Sequence, residues 1–272
     1  KNSGAKIAIE YNGWSCSYTK LNELVGKTRQ YLHLQGLKKG DALAFAYENS
    51  PEVILLSWAA WTMGVRTVPL DSKRDDEEMK KFKMSLTGAK LIDVSTSTLE
   101  SIKTKTNNPE VIDLTSVALV LFTSGTTAKP KGVVLTQENL LANADGIAEW
   151  LKIKSSDKFL IVLPLHHINS TTMCIATLIR GGTIVLTPKY SNSGFWRLAA
   201  ESGATISSVV PTIIHDQLER MAEFEKLKSK IKLTRIQLGS APVIIAEAKM
   251  FFQMTKIPLF QGYGQTETAL RS

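Results

Sequence analysis

Short apolar runs alternate with amphipathic stretches along nearly the whole chain. Runs at residues 65–70, 90–94, 117–122, 158–163, 183–186, 205–210, 235–238 and 258–260 predict strands, mostly separated by segments of helical periodicity. Residues 5–10 and 14–18 flank Asn12-Gly13, a pair that favours two positive φ angles in a row, and predict a hairpin. Residues 19–35 read as a helix, with Thr19 as its N-cap and Gly36 just past its end. Ser50-Pro51 opens a second helix that stops at Gly64. Its stretch 53–65 is the longest apolar run, but Ser57, Thr62 and two tryptophans mark it as buried helix rather than a bilayer span. Residues 95–109 turn polar and predict a surface linker or mobile loop. Strands and helices in alternation argue an α/β class, with largely parallel sheets covered by helices on both faces.

At 272 residues and 43% hydrophobic, the chain can bury one large core or two smaller ones. Thirty-three basic against 25 acidic residues leave a net charge of +8. The lysines fall in runs such as Lys80, Lys81, Lys83 and Lys226, Lys228, Lys230, Lys232, which read as solvated helix faces. No aromatic platform for stacking bases accompanies them, which argues against a nucleic-acid partner; the basic balance fits small anionic ligands. Cys16 and Cys174 are far apart and in no metal-ligand spacing, as in ordinary reduced residues of a cytoplasmic protein. No transmembrane segment is expected, and the first residues lack the apolar core of a signal peptide.

The most informative chemistry lies in residues 123–132, TSGTTAKPKG, which follow the apolar run 117–122. Hydroxyls, a glycine and two lysines at the end of a buried strand suit phosphate binding at a sheet edge, and residues from Val133 onward read as the next strand or helix. The spacing is not that of a Walker A loop, which places its lysine directly after the second glycine. Here Gly125 is followed by Lys129-Pro130-Lys131-Gly132, and the proline removes one backbone donor. Taken alone, a hydroxyl-rich turn is as readily an exposed loop that binds nothing.

Its companions decide the matter. The segment TSGTTAKPKG resembles the phosphate-loop signature of the adenylate-forming superfamily, which includes acyl- and aryl-CoA synthetases, luciferases and peptide-synthetase adenylation domains. It departs at Ala128, where the pattern has glycine; a positive φ there would cost alanine about 1 kcal/mol. Five further segments resemble family markers and occur in family order. They are Tyr18-Thr19-Lys20-Leu21-Asn22-Glu23-Leu24, Gly64-Val65-Arg66-Thr67-Val68-Pro69-Leu70-Asp71, Leu163-Pro164-Leu165-His166-His167-Ile168-Asn169, Gly239-Ser240-Ala241-Pro242 and Gln261-Gly262-Tyr263-Gly264-Gln265-Thr266-Glu267.

The resemblance implies ATP-dependent activation of a carboxylic acid to an acyl-adenylate with release of pyrophosphate, then transfer to a thiol, coenzyme A first among the acceptors. It implies that Thr123, Ser124, Gly125, Thr126, Thr127 and Lys131 cradle the β- and γ-phosphates, that Glu267 binds Mg²⁺ and that Thr266 donates to the α-phosphate. It also implies that Tyr263, within Gly262-Tyr263-Gly264, stacks on the adenine, with Gly239, Ser240 and Ala241 lining its other face and the acyl pocket. His167 falls on the family histidine that borders the carboxylate, and Lys129 is read as solvent-facing. A metal site at His166-His167 is rejected, because neighbours in an extended segment point to opposite faces and no further ligand recurs nearby.

The resemblance implies part of the family's large N-terminal domain, with residues 1–36 and 155–272 in one sheet subdomain and 37–151 in a second. A small barrel, a ribose-binding aspartate and a C-terminal lid lysine follow the last marker in that family. This chain begins at Lys1 and stops five residues after Glu267, so a fragment that adenylates weakly or not at all is expected. The apolar, small neighbourhood of residues 206–212 and 239–243 favours a simple carboxylic acid over an amino acid, whose ammonium group calls for an aspartate. The alternatives are an enzyme serving an acyl carrier protein, and a nucleotide-binding remnant without turnover.

Overall fold

The computed structural model describes residues 4–103, 112–123 and 130–270. Its elements are, in order, β1 (Ile7–Tyr11), β2 (Trp14–Ser17), α1 (Tyr18–Leu34), β3 (Ala42–Phe45), α2 (Pro51–Thr62), β4 (Arg66–Pro69), α3 (Glu77–Thr87), β5 (Ala89–Leu91), α4 (Thr96–Ser101), β6 (Val117–Thr123), β7 (Lys131–Thr136), α5 (Gln137–Trp150), β8 (Lys158–Ile161), α6 (Ile168–Ile179), β9 (Thr183–Leu186), α7 (Phe195–Ser202), β10 (Ile206–Val209), α8 (Pro211–Leu218), α9 (Met221–Leu227), β11 (Arg235–Leu238), α10 (Ile245–Thr255) and β12 (Leu259–Gln261). A 3₁₀ turn, Thr266–Thr268, follows. The strands form a seven-stranded sheet in the order β12-β11-β10-β8-β9-β1-β2 and a five-stranded sheet in the order β5-β3-β4-β6-β7. Parallel pairings dominate both sheets, and helices separate most of the strands, as the alternating pattern predicts.

Local chemistry explains most boundaries. Asn12 and Gly13 both take positive φ, 45° and 82°, the backbone that a tight hairpin between β1 and β2 requires. The first helix is capped by Ser17 rather than Thr19: the Ser17 hydroxyl accepts from the Lys20 N–H at 3.2 Å. It ends at Gly36, whose φ of 83° lets the Gly36 and Leu37 N–H groups bond back to His33 and Leu32. Helix α2 buries nine of its twelve residues, as its largely apolar sequence predicts. Two further expectations change. Strand β3, absent from the predicted elements, is an Ala-Leu-Ala-Phe run buried at all four positions. Within the polar stretch 95–109, Thr96–Ser101 is helical, capped by the Ser95 hydroxyl; residues 104–109 lie outside the described residues.

The chain divides into two compact units, Lys1–Ile7 with Cys16–Ala142, and Ala8–Ser15 with Asn143–Ser272. In the first, Ala44, Val68, Leu70 and Val120 build a core on the five-stranded sheet, and Lys83 and Asp75 form a buried ion pair at 2.6 Å. In the second, fully buried Trp196 packs against Phe195, Phe224 and Phe251. The carboxylate of Asp157 there gathers Arg235, Thr205 and the Lys154 N–H at 2.7–2.8 Å, tying the amino ends of β8, β10 and β11.

Both cysteines are buried, and burial raises both thiols, Cys16 to about 11 and Cys174 further still. Because the thiolate is the reactive form, native protein at pH 8 should leave both unmodified by Ellman's reagent, and denatured protein should release both. Rapid native labelling would contradict the burial.

Candidate functional site

Two of the loops singled out by sequence come together in the second unit. Gly239-Ser240-Ala241 follows the carboxyl end of β11, and Gly262-Tyr263-Gly264 follows that of its parallel neighbour β12. The ladder continues into the loops: the Gly262 N–H donates to Leu238 O at 3.0 Å and the Gly239 N–H to Val209 O at 3.3 Å. Their approach requires glycine at 239, because a Cβ there would stand 2.7 Å from the Gly262 carbonyl oxygen. Ser240 takes a φ of +67°, the left-handed region that side chains rarely adopt.

A narrow pocket of about 20 Å³ opens beside these loops, lined by Ser240, Gly262, Tyr263, Trp150, Met173 and Gln237 among others. The Tyr263 ring is 78% exposed, leaving an aromatic face free for a stacked ligand. The Trp150 ring is set by an edge-on contact with Phe260, 5.8 Å between centroids.

Thr266 and Glu267 sit in the short 3₁₀ turn that follows. The turn closes through Thr268 N–H to Gln265 O at 3.2 Å and Ala269 N–H to Thr266 O at 3.0 Å. It is pinned from outside by Asn143, which donates to Thr268 O at 3.0 Å, and by Thr172, which donates to Ala269 O at 3.3 Å. Ala269 and Leu270 hold positive φ, 55° and 115°, a conformation costly for side chains and concentrated at functional sites. Glu267 is exposed, and among the described residues its carboxylate takes no hydrogen bond or ion pair. A free carboxylate on a fixed turn is a fitting ligand for a hard cation such as Mg²⁺.

His167 is exposed and caps the amino end of α6, its N–H bonded to Pro164 O at 3.1 Å. The segment is a turn rather than extended, which corrects the premise that the two histidines diverge: the His166 and His167 rings lie 4.4 Å apart. Among the described residues, no group of three His, Cys, Asp or Glu is placed to hold a metal.

In the first unit, Thr123 and Lys131 end the antiparallel strands β6 and β7 and stand opposite each other in register. Strand β7 is the sheet's edge, and Lys131 is exposed on it. Ser124, Gly125, Thr126 and Thr127, with Ala128 and Lys129, lie outside the described residues.

Sequence reading did not single out a buried polar group beneath the pocket. Asn169 on α6, Ser208 on β10 and Gln237 on β11 are each about 3% exposed and bonded together. The available signal was polarity itself: a glutamine within Arg-Ile-Gln-Leu and paired serines within Ile-Ser-Ser-Val interrupt strands that a covered parallel sheet makes apolar.

Loops converging at the carboxyl ends of adjacent parallel strands define a ligand site of an open α/β fold. The sequence profile of the AMP-binding enzyme family matches residues 1–96 and 83–271, and the chain belongs to that family. A 2-succinylbenzoate–CoA ligase of Bacillus cereus is 28% identical over 279 residues, covering 97% of this chain and 56% of the relative. The long-chain-fatty-acid–CoA ligase FadD13 of Mycobacterium tuberculosis is 27% identical, covering 93% of this chain and 55% of its own. Among solved structures, the N-terminal domain of FACL13 from Mycobacterium tuberculosis superposes with a TM-score of 0.87 at 24% identity, covering 97% of this chain and 73% of that one. The o-succinylbenzoate CoA synthetase MenE of Bacillus subtilis superposes at 0.81 with 26% identity, covering 98% of this chain and 57% of that one. The chain thus spans little more than half the length of the curated relatives it matches.

Proposed function

We propose that the protein activates a carboxylic acid with ATP, forming an acyl-adenylate and releasing pyrophosphate, and that the acyl group then passes to coenzyme A. The observation that carries this reading is the closure of the Gly239 loop on the Gly262 loop, with the exposed Tyr263 ring and the narrow pocket beside them. Family membership and CoA-ligase relatives support the reaction class.

The chemistry needs charge compensation and alignment rather than an acid–base pair. A carboxylate oxygen must approach the α-phosphorus of a triphosphate, and both carry negative charge. Fixed cations and N–H or O–H donors lower that barrier, because they need no reorganisation as charge moves to the departing pyrophosphate. In this reading Lys131, Thr123 and the hydroxyls of Ser124, Thr126 and Thr127, with the Gly125 backbone, hold the β- and γ-phosphates. Thr266 donates to the α-phosphate and His167 borders the reacting carboxylate. Tyr263 stacks on adenine against Gly239, Ser240 and Ala241, with Gly264 keeping the loop free of a side chain. Glu267 would hold Mg²⁺, which when bound would neutralise triphosphate charge.

The test is carboxylate-dependent exchange of labelled pyrophosphate into ATP by the full-length protein, across short, long and aromatic acids. Exchange that requires both acid and Mg²⁺ is expected. No exchange with any acid would refute the adenylation step.

A further inference from the structure

The buried polar group under the pocket is built to present one hydrogen-bond donor. Asn169 Nδ2 donates to Gln237 Oε1 at 3.3 Å. The Ser208 hydroxyl has two acceptor oxygens against it, Asn169 Oδ1 at 2.7 Å and Gln237 Oε1. The Gln237 oxygen is therefore held on the Asn169 and Ser208 side, and its Nε2 faces the other way. That nitrogen has no acceptor among the described residues, although Gln237 is only 3% exposed. It lies against the bare Cα faces of two glycines: Cβ atoms at 239 and 262 would come within 2.9 and 3.4 Å of it. Gln237 lines the pocket together with Trp150, Met173 and Ser240. An amide donor that has no protein acceptor and reaches a pocket wall is available to a ligand, which must satisfy it once water is displaced.

We propose that Gln237, oriented by Asn169 and Ser208, is a specificity-determining residue that donates to an acceptor on the acyl portion of the substrate. The preferred acid then carries a carbonyl or comparable oxygen along its chain, and a plain hydrocarbon tail is disfavoured. This refines the expectation of a simple acid and rests on the adenylation reading. The selectivity follows from the asymmetry of hydrogen bonding in dry sites: a hydrocarbon in the pocket leaves the Gln237 N–H buried with nothing to bond, whereas a keto oxygen satisfies it. Sites built this way discriminate far more sharply than those that sense one methylene group.

The test pairs levulinate with isocaproate, which has a methyl group in place of the ketone oxygen, and extends to longer keto acids against their methyl isosteres. The readout is kcat/KM for pyrophosphate exchange by the full-length protein. At least one keto acid is expected to exceed its isostere by about 100-fold or more. Gln237→Glu keeps the size and one oxygen for Asn169 and Ser208 but turns an acceptor to the pocket. It should erase that preference and favour acids that carry an amine. Equal rates for every pair in the parent, or an unchanged preference in the variant, overturns the proposal. A second readout is independent of turnover: the Gln237 side-chain amide signal in nitrogen-15 NMR spectra should move with the preferred keto acid and stay still with its isostere. A shift without exchange would keep the donor site and sink the adenylation reading, and a silent amide with active exchange would do the reverse.

Discussion

Replacing Glu267 with glutamine in the full-length protein is expected to depress acid-dependent pyrophosphate exchange by about 100-fold or more, with thermal unfolding unchanged. The two halves of that expectation have separate origins. Stability should be indifferent, because Glu267 is exposed and its side chain makes no hydrogen bond or ion pair among the described residues. The turn that carries it is held by the backbone and by Asn143 and Thr172, none of which the substitution touches. Activity should fall because a neutral amide oxygen is a poor ligand for a hard dication, and the triphosphate then meets the incoming carboxylate with its charge less compensated. Raising Mg²⁺ should restore part of the rate, since weakened metal binding is a matter of occupancy. Exchange at the parental rate and Mg²⁺ dependence would remove Glu267 from the metal site.

Much of this architecture is legible in the sequence, and for specific reasons. The hairpin is written in Asn12-Gly13, because few other pairs accept two consecutive positive φ angles. Helix α2 is written in Ser50-Pro51, Gly64 and an apolar stretch too interrupted for a membrane. Strand β3 was not legible. Ala42 to Phe45 are apolar on both faces, so no alternation marks them, and two alanines suit a helix as well as a strand. The cap of α1 was ambiguous among neighbouring hydroxyls, and only the bond from Lys20 selects Ser17 over Thr19.

The candidate site divides along the same line. Loops with unusual composition were visible as motifs, and the structure brings Gly239 against Gly262 as neighbouring strands β11 and β12 dictate. Gln237 was invisible as chemistry, because its meaning comes from Asn169 and Ser208, 68 and 29 positions away. The adjacent rings of His166 and His167 show the opposite error, an extended backbone assumed where the chain turns.

The second large effect is expected at Gly239. Alanine there places a methyl carbon 2.7 Å from the Gly262 carbonyl oxygen and 2.9 Å from Gln237 Nε2. The carbonyl belongs to backbone anchored by the Gly262 N–H bond to Leu238 O, so it cannot rotate away as a side chain would. The loops must part by several tenths of an ångström, taking Ser240 and Tyr263 with them. Overpacking of this kind costs about 1–3 kcal/mol of stability. A displacement approaching 1 Å at a site that aligns two reactants costs roughly 100-fold in rate, so Gly239→Ala should lower exchange by about 10- to 100-fold. Gly262→Ala supplies the matched comparison. Its Cβ would meet Gln237 Nε2 and the Trp150 ring at 3.4 Å, ordinary contact, so it should cost less than about 0.5 kcal/mol of stability. Gly146→Ala, on α5 with nothing within 4 Å of its Cβ, controls for the change of residue type and should stabilise the protein by about 0.4–1 kcal/mol. The measurements are denaturant unfolding and pyrophosphate exchange on all three variants. Equal stability losses at 239 and 262 would mean that close approach of the two loops is not the source of the strain. A stability loss confined to 239 would place the strain at the contact that joins the ends of β11 and β12, and the exchange lost with it would be the effect of that contact.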